Sequence, residues 1–327
     1  DHAEYLGVMR HIIERGIPDE GLGLSDWVRA LYVEYWLGNV IENDEGMTAF
    51  AALLPEPSTV EEAAANPPVS AIPNSDLMQK TVWQESNRIA DAHNQPGEFT
   101  ALIGWEWSSL PSGANLHRVV FTNTDAEGAA KFQPLSSTDS MYPEDLWTWL
   151  DETSARTGID FVAMPHNSNI SKGYMFSEET LRGESYTPEL ARKRLRWEPV
   201  VEVTQIKGDS ETHASLSPDD PFADFEIYPF YIQQNAPPYD PKVGDYVRPS
   251  LLRGLSMEEK LGTNPYAFGL IGSTDSHSGL ASAEEPNFWG KMALDSTPET
   301  KPLFAAGRNV DGWNIGAQGL AGVSLDG

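Results

Sequence analysis

Residues 268–277 read Phe-Gly-Leu-Ile-Gly-Ser-Thr-Asp-Ser-His, an apolar run followed directly by polar residues. The apolar part predicts a strand, and Asp275 and His277, two residues apart at its end, point to the same side of the sheet. A carboxylate and an imidazole that converge in this way form half of a transition-metal site. The alternative is a hydrogen-bonded turn. The pattern favours the metal because Gly272 and Ser273 allow the backbone to close on a site.

The composition limits the classes of function. The chain has 327 residues, 40% of them hydrophobic, and a formal net charge of −27, which argues against binding to nucleic acids and to anionic membrane surfaces. It has no cysteine, so disulfides and thiolate zinc sites are excluded and any metal must use His, Asp and Glu. The absence of cysteine slightly favours a periplasmic or secreted location, which otherwise stays unknown. No apolar run approaches the roughly 20 residues that span a bilayer.

Apolar, β-branched runs alternate with helical stretches along the chain, which predicts an α/β fold in one domain over residues 1–327. Proline-rich stretches at about 55–74 and 214–246 are interpreted as excursions from it. The predicted strands are Phe99–Trp105, Arg118–Thr122, Asp160–Met164, Val200–Thr204 and Ala267–Ile271, and the predicted helices are Glu4–Arg15, Ser25–Gly38, Ser75–His93, Pro143–Arg156 and Pro188–Trp197.

Several chemistry-bearing residues lie at or near the carboxyl ends of these strands. We therefore expect Glu106, His166, Asp275 and His277 to converge at one end of the sheet, where active sites of α/β proteins form. The Glu106 carboxylate has apolar neighbours, so a cation would offset the cost of its burial, and a salt bridge to Arg118 is the alternative. His166 is predicted to be a metal ligand, against the alternative of a hydrogen-bonded loop histidine.

Two further histidines are weaker candidates. His117 follows Glu106 by eleven residues, a spacing at which a hairpin or crossover could return it to that carboxylate. His213 and Glu211 could reach the site from a loop or belong to an ordinary charged surface. The chain lacks the motifs of phosphate-cradling loops and of the serine-hydrolase nucleophile turn, so those two classes have no support.

Taken together, these motifs resemble the polymerase-and-histidinol-phosphatase (PHP) superfamily of metal-dependent phosphoesterases, and are most similar to its uncharacterised branch DUF3604. The resemblance covers nearly the whole chain. The segments that carry it are Phe99–Trp107, Asn115–Arg118, Pro165–Asn169, Lys207–His213, Gly272–His277 and Glu285–Asn287.

The resemblance implies a distorted (β/α)7 barrel whose mouth holds two or three divalent metal ions, of zinc, manganese or iron. It implies that Asp1 and His2 form the Asp-His motif, that Glu106 bridges metals, and that Asp275 and His277 are the terminal pair. The metal ligands implied are Asp1, His2, Glu106, His117, His166, Asp275 and His277.

The resemblance also has a departure. The family opens with a strand that carries His-x-His, and it continues with a helix and a strand after the segment similar to residues 316–323. Neither is found in this sequence. We therefore expect a barrel that lacks its first strand and its C-terminal elements.

The sequence thus predicts a metal-dependent hydrolase, most of all a phosphoesterase acting on a small anionic substrate. Glu106, Arg118, Lys207 and His213 are the candidate catalytic residues, with Arg118 or Lys207 balancing charge on the leaving group. Two alternatives stay open, a degenerate barrel that acts as a binding protein and a metallohydrolase of a non-phosphate bond. The sequence leaves the substrate, the metal and the oligomeric state undetermined.

Overall fold

The computed structural model describes residues 2–43, 60, 72–232, 237–277 and 299–300. These residues belong to two compact units. Unit 1 contains Asp1–Ser108, Val120–Met141 and Thr148–Phe161, and unit 2 contains Ser109–Val119, Tyr142–Trp147 and Val162–Gly327. The single domain over 1–327 stays a prediction.

Seven α-helices are found among the described residues, none of them both long and apolar enough to cross a membrane. Short 3-10 helices cover Pro111–Gly113, Ser168–Ile170 and Val243–Asp245. The helices are α1 (Val8–Arg15), α2 (Leu24–Glu42), α3 (Ser75–His93), α4 (Ala126–Ala129), α5 (Pro143–Thr157), α6 (Pro188–Trp197) and α7 (Val247–Leu261).

Among the described residues the strands form two three-stranded sheets, with the orders β1-β2-β3 and β5-β4-β6. In the second sheet β4 pairs with β6 in parallel and with β5 antiparallel. The described part of the chain is therefore mixed α/β and contains no closed barrel, so the predicted (β/α)7 barrel is not confirmed. The strands are β1 (Ile103–Trp107), β2 (Arg118–Thr122), β3 (Phe161–Pro165), β4 (Val200–Gln205), β5 (Gly208–Asp209) and β6 (Gly269–Gly272).

Three elements begin and end where the sequence predicts, namely α3, α6 and β2. The start of α6 shows why its boundary could be predicted. The Thr187 hydroxyl accepts a hydrogen bond from the Leu190 backbone N–H at 3.1 Å, and Pro188 occupies the first turn. This satisfies one of the backbone donors that a helix start leaves without a partner.

The predicted boundaries of β1 and α1 are wrong. Phe99 is 61% exposed and its N–H donates to the Gln95 carbonyl in a turn, so the strand begins only at Ile103 and extends to Trp107. Helix α1 begins at Val8 instead of Glu4, because Tyr5 and Gly7 have positive φ. At Gly7 a Cβ would also lie 2.4 Å from a Val82 methyl group, so only glycine fits there.

The predicted excursions had different outcomes. Most of 55–74 falls outside the described residues. The described part of 214–246 consists of turns, irregular backbone and the 3-10 helix at its end. Helix α7 begins directly after it and was not predicted. Its proline, Pro249, lies in the first turn, where it breaks no helical hydrogen bond.

An aromatic cluster forms the core of unit 1 beneath β1. Trp105 packs edge-on against Trp83 with ring centroids 5.8 Å apart, and Phe132 and Phe161 lie 5.3 Å apart in the same cluster. Along β1, Ile103, Trp105 and Trp107 are buried, so the period of two places Glu106 on the opposite face of the strand. The packing of the core therefore fixes the direction of the Glu106 side chain.

Unit 2 contains a buried charge network around Glu198. Its Oε1 accepts hydrogen bonds from Arg118 Nε at 2.9 Å and from Trp147 Nε1 at 2.7 Å, and its Oε2 lies 3.1 Å from Arg194 Nε. All four side chains are about 2% exposed or less. Burial opposes the charge, but the two guanidinium groups hold the pKa of Glu198 below its ordinary value.

We predict that Glu198→Gln destabilises unit 2 strongly. The substitution keeps the shape but removes the negative charge between two buried guanidinium groups, and breaking such a network costs about 3–5 kcal/mol. Urea denaturation followed by circular dichroism measures the loss. Glu211→Gln is the control, because Glu211 pairs with Arg248 at 2.6 Å on the surface, where ion pairs contribute little. Equal effects of the two substitutions would contradict the prediction.

Candidate functional site

In unit 1 the chain start lies beside β1 and brings two predicted ligands together. His2 forms a parallel bridge with Glu106, and the Ala3 N–H donates to the Glu106 carbonyl at 2.8 Å. His2 Nδ1 lies 3.4 Å from Glu106 Oε2 and 2.5 Å from Ser108 Oγ. An imidazole and a carboxylate at this separation are suited to bind one cation. Asp1, the other residue of the motif, lies outside the described residues.

Glu4 holds this region in place, a role that the sequence did not reveal. Its Oε1 accepts hydrogen bonds from the backbone N–H groups of Ser108, at 3.2 Å, and Ser137, at 2.6 Å. The carboxylate thus ties the chain start to the segment that follows β1. It keeps His2 beside Glu106.

In unit 2 the start of β2 lies beside the end of β3, and two histidines meet there. The rings of His117 and His166 are edge-on with centroids 5.7 Å apart. The backbone N–H of His166 donates to the backbone carbonyl of His117 at 3.4 Å. Both are largely buried, at 8% and 2% exposure. The predicted pair of imidazoles is therefore close enough for both rings to face one bound ion.

The carboxylate of Glu202, in the middle of β4, is 1% exposed. It accepts hydrogen bonds from the Asn167 N–H, at 3.1 Å, and from the Ser273 hydroxyl. Burial raises the pKa of Glu202, and the Asp275 charge adds to this, while the His166 charge and the Ser273 hydrogen bond oppose it. These interactions place Glu202, His166 and Asp275 in one electrostatic environment.

Asp275 is held by a cation and an amide. Lys207 Nζ donates to Asp275 Oδ2, and Gln205 Nε2 donates to the same oxygen at 3.0 Å. The Gln205 amide also donates to Asn167 Oδ1 at 2.9 Å, next to His166 in the chain. A continuous set of hydrogen bonds therefore links the end of β3 to the segment after β6.

The backbone at Asp275 adopts the left-handed conformation, with φ at 51°. A non-glycine residue in this region costs of the order of 1 kcal/mol, and such strain is concentrated at functional sites. The turn brings His277 Nδ1 within 2.9 Å of the Asp275 carbonyl and 3.8 Å of its Oδ1. Strand β6 ends at Gly272, so Asp275 and His277 lie in a hydrogen-bonded turn after it, which is the alternative arrangement for this pair. Their role as metal ligands stays a prediction.

His213 lies in an aromatic environment. Its Nδ1 lies 2.8 Å from Ser215 Oγ, and its ring lies about 6 Å from the rings of Tyr239 and Tyr246. Burial lowers the pKa of His213. The Tyr239 hydroxyl donates to the Asn169 carbonyl at 2.9 Å, and the Asn169 amide donates to the Lys207 carbonyl at 3.1 Å. His213 therefore reaches the network around Lys207 through two intervening residues.

The other predicted catalytic cation, Arg118, lies in the buried network around Glu198 and also donates to the Leu116 carbonyl at 2.6 Å. Its role toward a leaving group stays a prediction. So does the convergence of Glu106 with the unit 2 residues. Within unit 2 the contacts form two groups, His117 with His166 and Asp275 with Lys207 and His277. Hydrogen bonds through Asn167 and Gln205 connect the end of β3 with Asp275.

The amides around the site were not predicted as functional residues, although the quoted motifs contain Asn115, Asn167 and Asn169. Asn115 Nδ2 donates to the carbonyls of His166 and Asn167. Within the described residues, Asn115 Oδ1 and Ser168 Oγ are buried oxygens with no hydrogen-bond partner. Such oxygens, together with imidazoles and carboxylates, form a donor set that suits a borderline divalent metal such as zinc or manganese.

In a comparison with protein families, the family model described as "Protein of unknown function (DUF3604)" matches residues 1–325. No curated protein and no solved structure matches the chain.

We predict that Gln205→Leu lowers the stability of unit 2. Gln205 is fully buried, and its loss removes partners of Asn167 Oδ1, Asp275 Oδ2 and the Lys207 N–H. Each buried polar group left without a partner costs about 1–3 kcal/mol. Chemical denaturation measures the change. Gln79→Leu, at a half-buried position of α3, is the control, and a loss no larger than the control's would show that the amide is dispensable.

Proposed function

The chain belongs to the DUF3604 family, and we propose that it is a metal-dependent hydrolase, most of all a phosphoesterase. The observation that carries the proposal is the group of imidazoles and carboxylates linked to His166 in unit 2. His117 lies against His166, and the next residue, Asn167, donates its N–H to Glu202 and is linked through Gln205 to Asp275. Buried acids beside buried histidines are costly as a structural device and are common in metal sites.

We further propose that the family is a branch of the PHP superfamily, with a distorted (β/α)7 barrel and two or three metal ions. The bridge between His2 and Glu106 supports the first proposed ligand pair, and the 3.8 Å between His277 Nδ1 and Asp275 Oδ1 supports the last. His117 and His166 are the proposed ligands between them. Zinc, manganese and iron are the candidate ions.

The residues divide the work of hydrolysis as follows. Bound divalent cations would polarise a phosphoryl oxygen and lower the pKa of a bound water toward neutrality. Glu106 and Asp275 supply the negative charge that retains cations, and the imidazoles complete the donor set. Glu202 and the amides of Asn167 and Gln205 orient these groups through hydrogen bonds.

The remaining candidates would contact the substrate. Lys207 offers an ammonium group beside Asp275, where it would balance charge on an anionic substrate. His213 is linked to Lys207 through Tyr239 and Asn169, and its lowered pKa favours the neutral imidazole, which would accept a proton during hydrolysis. Arg118, buried on Glu198, would act only through its effect on the neighbouring His117.

One observation favours a second candidate function. Lys207 already balances the charge of Asp275 in this structure, as it would in a degenerate barrel that binds a ligand without hydrolysing it. Metal analysis separates the two candidates. We expect the purified protein to contain at least one equivalent of a transition metal by mass spectrometry. A screen with phosphate, phosphonate, sulfate and carboxylic esters then identifies the bond that is cleaved.

We predict that Asp275→Asn abolishes metal binding and turnover while the fold remains. The substitution keeps the side-chain shape but removes the charge that a cation requires. Metal content, turnover and far-ultraviolet circular dichroism are measured on the same sample. Asp240→Asn is the control, since Asp240 also binds a lysine, Lys242, but on the surface. Wild-type metal content and turnover in Asp275→Asn would show that Asp275 is not a ligand.

We predict that chelation lowers the melting temperature. A ligand that binds only the folded state stabilises it by RT ln(1 + [L]/Kd), which is about 2.7 kcal/mol at a hundredfold excess over Kd. Calorimetry before chelation, after chelation and after metal is restored measures the effect. An unchanged melting temperature after verified removal of metal would mean that the site is not coupled to folding.

A further inference from the structure

The ion pair between Lys207 and Asp275 is largely buried. Lys207 Nζ donates to Asp275 Oδ2, and the two side chains are only 10% and 12% exposed. The surface pair of Lys242 and Asp240 has the same chemistry, but its side chains are 51% and 68% exposed. Water screens the surface pair and does little to screen the buried one.

Neutral amides hold both charged groups in place. The Lys207 N–H donates to Gln205 Oε1 at 2.6 Å, and its carbonyl accepts from Asn169 Nδ2 at 3.1 Å and from Asn167 Nδ2 at 3.4 Å. The same Gln205 side chain donates to Asp275 Oδ2 at 3.0 Å. These hydrogen bonds hold the backbone of Lys207 in place, so its side chain reaches the Asp275 carboxylate from a defined direction.

Lys207 also offsets a charge conflict. Asp275 and Glu202 are two carboxylates whose charges act on one another, and the charge of Lys207 acts on both. Without a cation nearby, two buried carboxylates repel. A divalent cation bound at Asp275 would supply the same compensation. Lys207 and the metal would then compete for one oxygen.

On the basis of the proposed function, we propose that Lys207 is an internal counter-ion that couples metal binding to anion binding. In the metal-free protein its ammonium neutralises Asp275. When a divalent cation binds Asp275, the ammonium loses this carboxylate as an acceptor in a largely buried place, where weaker compensation of its charge is costly. An oxygen of a phosphate or sulfate group then replaces Asp275 as its partner. Metal and anion each strengthen the binding of the other, as linkage requires.

The experiment measures binding of Mn²⁺ alone, by isothermal titration calorimetry on the full chain. In Lys207→Met the competitor is absent, so we expect Mn²⁺ to bind about tenfold more tightly than to the wild type. Lys207→Gln, which keeps a hydrogen-bond donor, should move in the same direction if Lys207→Met folds poorly. Lys242→Met, at the exposed pair, should leave Mn²⁺ affinity unchanged.

A second titration adds inorganic sulfate at constant ionic strength. Sulfate should tighten Mn²⁺ binding to the wild type and to Lys242→Met. It should tighten it much less in the Lys207 variants, which lack the released ammonium. Circular dichroism checks that each variant is folded.

The outcomes separate the two proposals. Tighter Mn²⁺ binding by the Lys207 variants, with a reduced effect of sulfate, supports the counter-ion. Binding that equals or falls below that of the wild type, in folded variants, overturns the counter-ion and leaves the hydrolase proposal intact. If neither the wild type nor the Lys207 variants bind Mn²⁺, Zn²⁺ or Fe²⁺, both proposals fail.

Discussion

The compensation of buried charge is the constraint on which unit 2 depends. Glu198 joins Arg118 at the start of β2, Trp147 of α5 and Arg194 of α6, so one carboxylate connects three elements. The charge of Asp275 is compensated in a similar way, by the ammonium of Lys207 and a hydrogen bond from Gln205. Arrangements of this kind contribute less to net stability than apolar packing would. What they add is specificity, because each element must adopt the one placement that pairs every charge.

The sequence predicts the elements whose ends carry local signals. Helix α6 has a capping threonine and a first-turn proline, and its predicted bounds are confirmed. The boundaries fail where tertiary contacts decide. Phe99 continues an apolar run but lies in an exposed turn, and Tyr5 and Gly7 interrupt a helical pattern through their backbone conformation. Neither property is visible in hydrophobic periodicity, which reports burial and says nothing about φ.

For the candidate site, the sequence predicts the residue types that would bind a metal and does not predict the groups that hold them in place. Histidines at strand ends stand out because the chain has only seven histidines. His117 and His166 are adjacent because the start of β2 lies beside the end of β3. No local sequence pattern encodes that pairing of strands. Gln205 and Asn169 carry no charge and resemble ordinary strand and loop residues. Only their buried hydrogen bonds reveal them.

Because the chain carries a large negative charge, the state of its few basic side chains decides where an anion can bind. A chain with 49 acidic and 22 basic residues repels an anionic substrate over most of its surface. Arg118 and Arg194 face Glu198, and Arg248 faces Glu211 and Asp220, so these guanidinium groups are already matched by acids. Lys207 instead pairs with Asp275, to which a divalent cation would bind in the proposed site. A substrate anion would therefore meet net positive charge at this site only when metal is bound, and the protein would discriminate against anions in its metal-free state.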